Sequence, residues 1–84
     1  MNSISLVRDF SENLGFRHAA CELFEKIEAL PQEKVVIDFD KVRFISRAFA
    51  HEYLTRKKTS SKHIEEISVP EVVEKMFYAV MCQK

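Results

Sequence analysis

Residues 35–54, VVIDFDKVRFISRAFAHEYL, decide how the chain folds. With Lys34 in front, the β-branched Val35, Val36 and Ile37 and then Phe39 make a near-continuous apolar run. Such a run reads as a strand covered on both faces, as in a parallel sheet. Asp40-Lys41 is a turn, after which Val42, Phe44 and Ile45 return the chain to the core. Ser46 can then cap a helix over residues 47–58, because its hydroxyl can accept an unpaired first-turn amide. Phe49, Ala50, Tyr53 and Leu54 give that helix one apolar side. Arg56, Lys57 and Lys58 set positive charge at the negative end of its dipole.

The same alternation extends both ways. Upstream, residues 4–9 are a strand candidate, carrying Ile4, Leu6 and Val7. Ser11 or Asn13 can cap a helix within residues 14–30, whose apolar stripe is Phe16, Ala20, Leu23, Phe24, Ile27 and Leu30. Pro31 stops it. Downstream, residues 59–62 are a polar loop, and Ile64, Ile67 and Val69 give a third strand. Glu65 and Glu66 within it suit a sheet edge. Pro70 opens a last helix with a stripe of Val72, Val73, Met76, Phe77, Val80 and Met81. The order β-α-β-α-β-α implies one small α/β domain over residues 1–84, with a mainly parallel three-stranded sheet.

Composition bounds the function. Eighty-four residues bury roughly 60–65% of the unfolded surface, so the core is small. Thirteen basic and thirteen acidic residues balance, and no bulk charge steers the chain to nucleic acid or an anionic membrane. The apolar share of 46% argues for a folded domain over a disordered one. No apolar run nears the roughly 20 residues of a membrane helix. Cys21 and Cys82 follow no disulfide or zinc spacing, so a soluble, cytoplasmic protein with free thiols is expected.

Residues 35–54 also carry a resemblance. An apolar strand ending in Asp-Phe, a turn, and an apolar-apolar-Ser step into a helix with Phe-Ala-x-Glu resemble the STAS-like domains of unknown function found in prokaryotes. The helix with Gly15-Phe16-Arg17-x-x-Ala20 and the last helix look like that family's flanking elements. More remotely, the stretch is similar to the anti-sigma-factor antagonists of the STAS superfamily. That resemblance implies binding of a kinase or anti-sigma partner through the turn and helix start. The family's switch is a phosphorylated Ser or Thr in an Asp-Ser-Ser-Gly-like step. Here the step is Ser46-Arg47-Ala48-Phe49, with Ala48 at the phosphoacceptor position, and Ala48 has no hydroxyl.

The candidate site is therefore the turn and helix start, with Arg43, Ser46, Arg47 and Phe49 as partner-binding residues. The plainer alternative makes Ser46 only a cap and both arginines only solvated. Arg17 and Glu52 match STAS-like positions, and each borders its own helix's apolar stripe, so a bridge between the two helices is expected, with a binding role for the pair as the sharper alternative. A protein partner, by resemblance an ATPase or kinase-like regulator, is the leading expectation, and a homodimer stays open.

Other chemistries find less support. Asp38 and Asp40 flank the strand end where α/β ligands gather, but no further carboxylate or histidine lies at convincing spacing, and turn formation explains Asp40. His18 and Cys21 supply two metal ligands of the four a closed zinc site takes. Ser46 and His51 are five apart on one helix and point to different sides, which removes a Ser46/His51/Asp38 triad. Neither a metal nor a cofactor is expected, nor an enzyme. Nucleic-acid binding through Arg56, Lys57, Lys58, Lys62 and His63 is the alternative function, though no aromatic residue is interleaved there.

Overall fold

The computed structural model describes residues 3–82. In chain order its elements are β1 (Ser3–Ser5), α1 (Leu6–Asp9), β2 (Asn13–Leu14), α2 (Arg17–Ala29), β3 (Lys34–Asp38), β4 (Phe44–Ile45), α3 (Arg47–Thr59), β5 (His63–Ile67) and α4 (Glu71–Cys82). β1, β3 and β5 form a parallel sheet in that spatial order, with β3 in the middle. Ile4 lies beside Ile37, and Val35 beside Ile64. The α/β class and the three-stranded parallel sheet expected above are the ones observed. Successive crossovers of one hand between neighbouring strands put α2 and α3 on the same face of the sheet.

Burial marks that face. Ile4, Val35, Ile37 and Ile64 are buried, whereas Ser3, Lys34, His63, Glu65 and Ile67, on the opposite face, are exposed. Val36 and Asp38 are half-buried. The expectation that β3 is covered on both faces is thus corrected. The helices cover one face, and polar residues make the other soluble.

Local hydrogen bonds explain where the elements depart from the sequence reading. Residues 4–9 are not one strand, because the Ser5 hydroxyl accepts the Arg8 N–H and turns Leu6–Asp9 into α1. Neither Ser11 nor Asn13 caps α2. The Ser11 hydroxyl takes the Asn13 N–H at 3.1 Å, and Asn13 and Leu14 pair with Phe44 and Ile45 in a second, two-stranded parallel sheet. That pairing holds the chain extended, so α2 starts only at Arg17 and Gly15 precedes it. Phe16 stands at its N-cap without a side-chain cap bond and is 80% exposed, outside the stripe assigned to it. Phe44 is 43% exposed for the same reason, since Val42 and Ile45 take the inward positions. Pro70 sits one residue before α4, and its carbonyl accepts the Glu74 N–H. In α4, Val73 is buried, and Met76, Phe77 and Val80 pack partly against the core. Val72 and Met81, expected inside, are exposed.

The core converges on Tyr53. Its ring centroid lies 5.4 Å from Phe24, 6.0 Å from Phe39, 6.1 Å from Phe49 and 5.2 Å from Phe77. Those rings come from α2, the end of β3, α3 and α4. A buried phenol needs a partner for its hydroxyl. Tyr53 donates to the Glu66 carboxylate on β5 at 2.6 Å, and Lys57 reaches the same oxygen at 2.7 Å. Burial first, and then the Glu66 charge, push the Tyr53 phenol far above its ordinary range, so it stays a donor.

Total stability for a chain of this length is about 4–12 kcal/mol. Phe39→Ala should cost about 3–5 kcal/mol in urea unfolding, because a ring at the centre leaves a cavity. Phe16→Ala should stay within about 0.5 kcal/mol. Equal effects from the two would contradict this division of core and surface.

Candidate functional site

The C-terminal ends of β1 and β3 are the place where the chain gathers its expected site. β3 leaves the sheet through a tight turn in which the Asp38 carboxylate accepts the Asp40 N–H at 2.9 Å. The turn-forming side chain is therefore that of Asp38, where the sequence reading had Asp40. Lys41 takes a left-handed conformation, φ 69°, which lets Val42 bond back to the Phe39 carbonyl at 3.1 Å. The Glu12 carbonyl then accepts both Arg43 N–H, at 2.8 Å, and Phe44 N–H, at 3.2 Å. Ser46 N–H donates to the Leu14 carbonyl at 2.9 Å. These bonds fasten the turn to the segment that leads into α2.

Ser46 caps α3 as expected, accepting the Phe49 N–H at 3.0 Å. Because Leu14 pairs with Ile45, the starts of α2 and α3 lie side by side. Phe16 and Arg17 follow that pairing at the start of α2, and Ser46 and Arg47 follow it at the start of α3. Arg43, Phe44, Arg47 and Ala48 are all exposed, and Ser46 is half-buried. Phe49 is different: it is fully buried and stacks on Tyr53 at an interplanar angle of 18°. The expectation that Phe49 meets a partner directly is corrected. Its ring holds the helix start in place, and Phe44 is the aromatic residue that faces out.

Spacing alone hides this exchange. Phe16 and Ala20 have helical spacing, and Phe44 belongs to an apolar run, so both read as core. The signal that identifies them is Gly15 with the polar residues before it, which let the chain stay extended up to Phe16. A shallow cavity of about 450 Å³ adjoins Phe16, lined by Phe10, Ser11, Leu14, Ala19 and Glu22 among others.

Arg17 and Glu52 do not form the expected bridge. Glu52 accepts from Arg56 Nε at 2.7 Å and from the Cys21 thiol at 3.7 Å, so the link from α3 to α2 runs through Cys21. The Arg56 hydrogen bond holds the Glu52 carboxyl below its ordinary value, with Cys21 and the field of Arg17 adding to it. His18 pairs with Glu22 at 3.2 Å, apart from Cys21. His51 lines a groove of about 570 Å³ between α3 and α4, with Leu54, Lys58, Val80 and Met81.

Part of the basic helix end bonds within the chain. Arg56 pairs with Glu52 and Lys57 with Glu66, while Lys62 donates to the carbonyls of Leu30 and Gln32. Lys58 and His63, the other members of the cluster, are exposed. Among the described residues no helix is long and apolar enough to cross a membrane. No family model, curated protein or solved structure matches the chain.

Two outcomes check this geometry. Ser46→Ala should lower stability by about 1 kcal/mol, and Ser46→Asp should restore most of it. Glu52 is held below the ordinary 4.5 in the folded chain, so its contribution is present above that value. The contribution is lost as pH falls through the lower folded value. The urea midpoint of the wild type should therefore exceed that of Glu52→Gln at pH 6, and the gap should close as the solution is acidified below pH 4.5. A gap that widens on acidification would contradict the pairing.

Proposed function

We propose that the chain is a non-enzymatic regulatory or interaction module that binds a protein partner through the turn and helix start around Ser46. The observation that carries this reading is the exposure of two aromatic rings, Phe16 and Phe44, among the exposed Arg17, Arg43 and Arg47. Aromatic and arginine side chains supply most of the energetically dominant residues of protein interfaces. Rings left in water cost free energy that a partner's apolar surface recovers. The three guanidiniums around them suit carboxylates on that partner.

The remoter similarity to anti-sigma-factor antagonists supports the same surface, because those proteins engage their partners through the turn and helix start. By that resemblance the partner is an ATPase or kinase-like regulator. Ala48 is exposed at the start of α3 and carries no hydroxyl, so phosphorylation at that position does not set the binding. The free cysteines Cys21 and Cys82 fit a cytoplasmic setting.

Affinity capture from the native cell extract tests the proposal. The wild type should retain a partner that Arg47→Glu and Phe44→Glu each lose by about tenfold or more. The control Lys75→Gln, which removes a charge on α4 away from this surface, should retain it. Recovery of the same proteins by all variants, or of none by the wild type, contradicts the surface.

A further inference from the structure

We infer that β5 is a homodimerisation strand, pairing antiparallel with β5 of a second copy so that two three-stranded sheets become one. Among the described residues β5 is the sheet's long edge, with β3 as its one neighbour. His63 N–H donates to Glu33 O, and Phe39 N–H to Ile67 O. In a parallel pair alternate residues bond to one side, so residues 63, 65 and 67 face β3. The N–H and C=O groups of Ile64 and Glu66 therefore point outward from the edge.

Charges on an edge usually keep other strands away. The order of charges here does so selectively. Lys62-His63-Ile64-Glu65-Glu66 runs from basic to acidic about a central isoleucine. Antiparallel pairing with Ile64 opposite Ile64 of the second copy sets His63 against Glu65 and Lys62 against Glu66. In this register both Ile64 backbones face outward and exchange hydrogen bonds. A shift by one residue would set an outward-facing backbone against one already bonded to β3. Shifting the centre to Glu66 puts Glu66 on Glu66, and centring on Glu65 puts Glu65 on Glu65. Like charges directly opposite are destabilising. Centring on His63 puts two histidines together and loses the His63–Glu65 pairs.

His63 and Glu65 decide the register. Both are exposed on the open face, where Glu65 lies 3.2 Å from Lys34 of its own chain. Lys62 and Glu66 are already bonded within the chain and contribute mainly through their fields. Ile64, nearly buried at the rim of the helix-covered face, gains an apolar neighbour. The twofold axis runs through the sheet, so the Ser46 ends of the two copies point in opposite directions and stay open.

Sedimentation across a concentration series tests the pairing. The wild type should dimerise, and Glu65→Lys should raise the dimer Kd by about tenfold, since both symmetric pairs lose their carboxylate. The swap His63→Glu with Glu65→Lys sets a carboxylate against an ammonium in both pairs and should bring Kd back to within about threefold of wild type. Circular dichroism confirms that each variant is folded. A wild type that stays monomeric at its highest soluble concentration overturns the inference. So does a dimer indifferent to Glu65→Lys, or one that the swap fails to rescue.

Discussion

The hydroxyl of Tyr53 and the carboxylate of Glu66, 2.6 Å apart, join the helical layer to the edge of the sheet. The ring below that hydroxyl packs against aromatic residues of α2, α3 and α4 and against Phe39 just after β3, so the bond anchors the packing of these elements. Glu66 occupies the inner face of β5, where an apolar residue would ordinarily sit. A carboxylate there is tolerated because Tyr53 and Lys57 both donate to it. The arrangement lets a small core hold a polar group without leaving it unpaired. It also fixes the rotation of α3, since Tyr53 and Lys57 lie one turn apart and must both face β5.

Fixing α3 fixes what its first turn presents. With Tyr53 inward, Phe49 and Ala50 are inward too, and Arg47 and Ala48 face solvent. The β2–β4 pairing then brings the start of α2 alongside, with Phe16 exposed at its N-cap. The proposed partner surface thus depends on a bond made at the opposite side of the helix layer. The same bond orders β5, whose outer edge carries the second proposed interface. The two surfaces use different elements, and neither obstructs the other.

Much of this was legible in the residues. The run from Val35 to Phe39, the Ser46 cap and the spacing of Phe49, Ala50 and Tyr53 all led to the observed strand and helix. Two-residue strands such as β2 and β4 carry no periodicity, so their pairing is not legible in the sequence, and neither is the start of α2 at Arg17. The same gap placed Phe16 in the core. Phe49 was assigned to the surface because its place in a resembling motif outweighed its helical spacing with Tyr53. Glu66 read as a solvated edge residue, since its bond to Tyr53 joins separate elements and depends on how far α3 leans over β5. The open sheet face departs from the usual burial of parallel strands, and the alternation of Lys34, Val36 and Asp38 with apolar residues is its only trace.

A double-mutant cycle on Tyr53 and Glu66 tests the anchor most directly. Urea unfolding of Tyr53→Phe, Glu66→Ala and the pair together yields their coupling free energy. If the bond anchors the core, the double variant loses less than the sum of the two single losses, by about 1.5–3 kcal/mol. Losses that add to within about 0.5 kcal/mol would contradict it.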